Sequence, residues 1–385
     1  MKPKYCKKLK CKVILLLAIL VCGLVFSGCV SGLQPIGWSG SIIADDTLFV
    51  GSKEGRLVAI NLTNSSPRWS EPLKKQGSSG GFGCAGPVYG GGCSSAPAGV
   101  AIYGTPVVSG DLVYIGGYNG KFYSFKTDSL QMDDVYPPET YLQPIIGGPV
   151  VASDMVYFGC SDGKVYALGA NDLVWRWDFQ TGDKIWATPV VDGDTLFIGS
   201  FDKKLYALDV TDGSKKWEFG TDGAIASTPL VYSNTVYFGS FDRYFYAVDA
   251  ADGTMKWKFM AENWFWTEPI VYNNTIYVGS LDHKVYALDA DDGAKIAEFD
   301  LGSPISASPV AENSSIIFAS QKGLVYKLDT SSNNLVQLVD IEEDINSALS
   351  ASNGIVYIHT QILKVYVVDI STGNIVNTIS IASSE

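Results

Sequence analysis

The chain has 385 residues, with 12% aromatics, 40 glycines and only 18% charged residues, a mix that suits buried β-structure with many turns and argues against a disordered chain. Its formal net charge is −12; six of its basic residues, all lysines, precede Cys29 where there is no acid, so the remainder carries 22 basic against 40 acidic residues. Such a body repels nucleic-acid phosphate and anionic lipid, so no nucleic-acid partner is expected, and a basic protein face or a cation is the natural complement.

In chain order, Lys2 to Lys12 forms a positive segment and Val13 to Phe26 an apolar one, the pattern of a targeting signal over residues 1–28. Phe26-Ser-Gly-Cys29 resembles a bacterial lipobox, with Phe26 where Leu is usual. The resemblance implies lipidation at Cys29, a short tether over 29–34 and a membrane-anchored, extracytoplasmic body on the periplasmic or cell-surface side. The other reading is an uncleaved membrane anchor, which leaves the body on the same side because the lysines stay in the cytoplasm.

From residue 35 to the end the sequence repeats. A glycine followed by a small residue recurs at Gly51, Gly116, Gly159, Gly199, Gly239 and Gly279, with Ala319 and His359 in the last two copies. The later steps are 40 residues each, and a fixed period of this size marks a repeat architecture. Each copy holds four short β-like runs; in the fourth these are 187–191, 195–199, 204–209 and 215–219, separated by Gly193-Asp194, Asp202-Lys203 and Asp212-Gly213. The runs are continuously apolar, as strands covered on both faces should be. The expected fold is all-β: an eight-bladed β-propeller of four-stranded antiparallel blades. Trp177, Trp217 and Trp257 stand at one place per copy and Trp69 keeps the spacing in the first, so these rings should seal neighbouring blades.

The run Pro189-Val-Val…Thr195-Leu-Phe-Ile-Gly-Ser-Phe-Asp…Leu205-Tyr-Ala-Leu-Asp-Val-Thr-Asp-Gly-Ser-Lys-Lys-Trp217 resembles the pyrroloquinoline-quinone (PQQ)-type propeller repeat. Two branches of that family matter: quinoprotein dehydrogenases, and the propeller lipoproteins of outer-membrane β-barrel assembly. Length, the lipobox-like start and eight regular copies resemble the second. The resemblance implies a non-catalytic scaffold that binds protein partners in the cell envelope, with no cofactor. The alternatives are a quinone-dependent oxidoreductase, which would need PQQ and calcium, and a sensor of small ligands or glycans.

Departures from the repeat are the candidate sites. An insertion over about 76–104 joins the first copy to the second and holds Cys84 and Cys93, the natural disulfide pair outside the cytoplasm. Trp38, Tyr103, Trp186 and Trp266 begin the innermost strands of their copies, with Trp264 beside the last. They read either as a binding rim at the mouth of the channel or as packing between blades. Glu268 stands where other copies carry Gly148, Thr188, Thr228 and Ser308, and reads as a cation-binding carboxylate or as a solvated one. Asp162, Asp202, Asp242 and Asp282 recur in one turn, where hydrogen bonding within the turn is the expected role. His283 and His359 read as structural, and Cys160, in a column of serines, as a small core residue. Asn61, Asn64, Asn273 and Asn313 begin Asn-x-Ser/Thr triplets, relevant in a host that glycosylates.

Overall fold

The computed structural model describes residues 39–74 and 100–382. These form eight four-stranded antiparallel sheets, each built from consecutive strands. Blades 1 to 8 span Ser41–Trp69, Val107–Tyr136, Val150–Gln180, Val190–Gly220, Leu230–Met260, Ile270–Asp300, Val310–Asp340 and Ser350–Ser380. In blade 4 the strands are Val190–Asp192, Thr195–Gly199, Lys204–Asp209 and Lys215–Gly220, so the innermost is shorter than the 187–191 run suggests. The turn between the second and third strands, and the link from the fourth strand to the next blade, share one face of the ring, called here the upper face.

Apolar runs become double-sided strands because each blade is covered by two neighbours. The core is a series of wedges, one per interface: Leu205, Ala207 and Trp217 of blade 4 pack with Val236, Phe238 and Tyr246 of blade 5. The repeated glycine sits where backbones crowd. A Cβ on Gly199 would lie 2.2 Å from Cγ2 of Ile225 in the following link.

The tryptophan column works as expected in three interfaces. Trp177, Trp217 and Trp257 donate Nε1–H to the carbonyls of Val210, Ala250 and Ala290 in the next blade. Each indole lies on a glycine in the left-handed conformation, where a Cβ on Gly213, Gly253 or Gly293 would meet it at 2.5–2.7 Å. Trp69 departs from this. In blade 4 a bulge at Ala207/Leu208 pairs Ala207 with Trp217, whereas blade 1 has no bulge and pairs Ala59 with Arg68 and Val58 with Trp69. A slip of one residue turns a strand side chain to the other face. Trp69 therefore faces blade 8, donating to the Ile381 carbonyl at 3.0 Å, and Arg68 faces blade 2, donating from Nη1 to the Asp128 carbonyl.

No strand is shared to close the ring among the described residues; blades 8 and 1 meet by packing. Leu48, Val50, Val58 and Ile60 interdigitate with Tyr357, Val365, Val367 and Ile381. The Ser41 and Ser350 hydroxyls lie 2.6 Å apart. His359, which replaces the repeat glycine, is 3% exposed and its Nδ1 lies 2.9 Å from the Ser39 carbonyl. Cys160 is buried, a free thiol inside the blade 3 wedge. Among the described residues no helix is long and apolar enough to cross a membrane.

Candidate functional site

The upper face is organised by the turn aspartates. Asp202 accepts from the Lys204 N–H with Oδ1, and from the Tyr206 hydroxyl and the Gly182 N–H with Oδ2. Asp242 and Asp282 repeat this with Tyr246 and the Asp222 N–H, and with Tyr286 and the Glu262 N–H. Each carboxylate thus ties its turn to its own third strand and to the incoming link. The tyrosine pKa values are raised, by burial first and by the carboxylate each hydroxyl serves second. Blade 8 lacks the turn acid, and Glu343 of the incoming link replaces it, accepting from Tyr366 and Thr360. These acids are structural, as their recurrence implies.

On this frame an aromatic strip crosses blades 4 to 6. Trp186 packs edge-on against Phe201 at 4.7 Å and against Trp266 at 6.5 Å. Phe201 meets Phe241 at 5.8 Å, and Phe241 stacks on Trp264 at 4.6 Å and on Trp266 at 5.4 Å. The reach from Trp186 to Trp266 spans two blades because the intervening link residue is only Ala226. Lys184 holds its ammonium 4.3 Å from the Trp186 ring and 4.4 Å from Phe201, a cation over two aromatic faces. Phe201, Phe241, Trp264 and Trp266 are half-buried, so the strip keeps part of its aromatic surface open to solvent.

The same three blades carry a second anomaly. The last turn residue before the third strand has positive φ throughout; it is Gly55, Gly120, Gly163 and Gly323 in blades 1, 2, 3 and 7, and the buried Leu363, with φ of 63°, in blade 8. In blades 4, 5 and 6 it is Lys203, Arg243 and His283, with φ of 71°, 76° and 80°. All three side chains are exposed. A non-glycine residue held in this region costs of order 1 kcal/mol or more, and such strain collects at functional sites. Exposed acids Asp183, Asp222 and Glu262 stand on the adjoining links, so the rim of the strip is charged with both signs.

Glu268 lies two residues beyond Trp266 and two residues before the innermost strand of blade 6, which begins at Ile270. Its N–H donates to the Ser308 hydroxyl at 3.1 Å. More than a third of its surface is open to solvent. Desolvation there pushes its carboxyl up to about 7. No cluster of three or more His, Cys, Asp or Glu suited to a metal occurs among the described residues.

Of the residues singled out in the sequence, the structure brings Trp186, Trp264 and Trp266 into one strip, while the contact of Glu268 is with Ser308 of the next link. Tyr103 stands apart in blade 2, with its ring 5.4 Å from Tyr118. Cys29, Trp38, Cys84 and Cys93 lie outside the described residues. Sequence reasoning passed over Phe201 and Phe241, and read His283 only as a turn residue. The signal was present: their two columns read Lys53, Tyr118, Ser161, Leu281, Gln321 and Gln361, and mostly glycine, in the other copies.

The family model described as outer membrane protein assembly factor BamB matches residues 32–188 and 161–379. The chain belongs to this family of PQQ-type propellers. Among solved structures it is similar to BamB from Moraxella catarrhalis, at 17% identity and a TM-score of 0.64, over 86% of this chain and 94% of that one. It is also similar to the computationally designed Ika8 protein, at 13% identity and a TM-score of 0.68, over 85% and 94% of the two chains. Both likenesses concern the fold. No curated protein matches the chain in sequence.

Proposed function

We propose that this protein is a non-catalytic, extracytoplasmic scaffold, tethered to a membrane through Cys29, whose partner protein docks on the upper face of blades 4 to 6. The observation that carries the reading is the coincidence, in three consecutive blades, of the half-open aromatic strip with the left-handed Lys203, Arg243 and His283. Aromatic and arginine side chains at the centre of a rigid surface are the usual anchors of protein–protein recognition. Membership of the BamB family supports a partner in envelope protein assembly. The strongly acidic body favours a partner with a basic face around that anchor.

A photo-crosslinking residue placed at Phe241, in the full-length protein in its own membranes, tests this. The expected result is a discrete protein adduct from Phe241 that is absent when the probe is at Asn273 on the opposite face and is lost in the Arg243→Glu background. Equal yields from the two faces would overturn the docking assignment. Turnover of alcohols or sugars on adding PQQ, calcium and an electron acceptor would overturn the non-catalytic reading.

A further inference from the structure

The interface between blades 1 and 2 is incomplete. At the next interfaces but one, the outer strand of one blade lays two alternate aromatics on its neighbour: Trp177 and Phe179, Trp217 and Phe219, Trp257 and Phe259. The phenylalanines meet Tyr206, Tyr246 and Tyr286 of the following blade at 5.4, 5.5 and 4.9 Å. Blade 1 supplies neither ring. Its outer strand ends at Trp69, which the register turns toward blade 8. Leu73 and Pro72 are what remains, held in place by the Leu73 N–H to the Gly55 carbonyl and by Asn119 to the Lys74 carbonyl.

The outcome is a groove of about 540 Å³ along blade 2, floored by Tyr123, Phe125, Leu130 and Val135. Met132 and Tyr141 line it and are 51% and 39% exposed. Lys74 and Lys121 stand at one end; neither forms an ion pair with a carboxylate among the described residues, although Glu71 lies on the same wall. Lys121 donates to the Pro137 and Pro138 carbonyls and keeps its charge facing the groove end beside Tyr141.

We propose that this groove is a second recognition site, independent of the aromatic strip, which takes an extended partner segment with an aromatic-x-aromatic pattern and an acidic residue at the lysine end. The fold itself shows what fits, since three equivalent interfaces are closed by Trp-x-Phe on a strand. The lysines, in an otherwise acidic body, select the sign of the flanking charge. Side chains two apart on a strand point the same way, so one short segment supplies both rings.

The test uses the full-length protein and a peptide copied from its own third blade, residues 174–183 (Val-Trp-Arg-Trp-Asp-Phe-Gln-Thr-Gly-Asp), whose last residue supplies the flanking acid, as the probe. Fluorescence anisotropy should show saturable binding that weakens at least tenfold when the second Trp and the Phe of the peptide become Ala. Met132→Lys, at a half-open position that leaves the core intact, should weaken it as much, while Phe241→Ala should not. A photo-reactive residue at Met132 should form its adduct with the peptide. No binding, binding indifferent to Met132→Lys, or an adduct only with residues 75–99 of the same chain would each overturn the proposal, the last by showing that the chain fills its own groove.

Discussion

Acid should open this ring at its seam. His359 is buried between blades 8 and 1, and its Nδ1 faces the Ser39 carbonyl, which can only accept. The neutral tautomer carrying Nδ1–H satisfies that bond. Burial, with a smaller push from Lys53, lowers the imidazole pKa to about 4, against an ordinary value of 6.5. The unfolded chain therefore binds a proton on this group before the folded chain does. The group costs nothing at neutral pH; stability falls as pH drops below 6.5, and the loss is complete near 4. The gap corresponds to about 3 kcal/mol by linkage. Replacing His359 by Asn keeps an amide N–H near the same carbonyl and removes the titration. The variant should be the less stable protein at pH 7, because Asn leaves a void. Its deficit should shrink by about 3 kcal/mol between pH 7 and pH 4. Carboxylate titrations elsewhere are common to both proteins and cancel. Urea denaturation over that pH range measures the difference, and hydrogen exchange in the strands around Val50 and Val365 locates it. Stability curves that run parallel from pH 7 to pH 4 would refute the reasoning.

Other outcomes follow from the repeat itself. Gly199→Val should cost about 1–3 kcal/mol in thermal denaturation through overpacking on Ile225, and Ile225→Ala in the same chain should recover part of it. Asp242→Ala removes the acceptor for the Tyr244 N–H, the Tyr246 hydroxyl and the Asp222 N–H, and should lower stability by about 2–3 kcal/mol, read by the urea midpoint. Arg243→Gly should leave stability equal or raise it by up to about 1 kcal/mol by relieving the left-handed strain, while it weakens partner crosslinking from the strip.

The fold was legible because a propeller states its architecture eight times. One noisy copy, such as the blade around His359, is corrected by the others, and the glycine column predicts the close approach that the Gly199–Ile225 contact demonstrates. The register of one strand was not legible. Trp69 keeps the sequence spacing of Trp217, and only the absence of a bulge between strands three and four of blade 1 reverses its direction. A bulge depends on the geometry of the preceding turn, which here reads Asn61-Leu-Thr-Asn-Ser-Ser instead of Asp209-Val-Thr-Asp-Gly-Ser. The strip was half legible. Its tryptophans stood out as large residues, but Phe201 and Phe241 sit in turns, where the aspartate two residues from each repeat serine drew the reading toward turn chemistry.

The glycine and tryptophan columns also explain why the strip lies where it does. Interfaces 3/4, 4/5 and 5/6 are those in which an indole lies on a left-handed glycine and donates to the next blade. In blades 2 and 3, whose preceding blades offer no such indole, the glycine is replaced by Leu130 and Leu173, both left-handed and buried, which fill the space from the other side. Blades 4 to 6 are thus joined by the most regular packing in the ring, and they are the blades that bear the strip and the three exposed left-handed residues Lys203, Arg243 and His283. A recognition surface gains from a frame that does not shift when a partner loads it, and a strained turn persists only where its surroundings over-determine it. Where the outer strand lacks both the indole and the phenylalanine, Val339 fills the wedge at 7/8 and Ile379 at 8/1, whereas between blades 1 and 2 the molecule keeps an open groove. Regular packing and irregular surface are therefore two results of one distribution: full seals beneath the strip, and a missing seal where a foreign strand can complete the wedge.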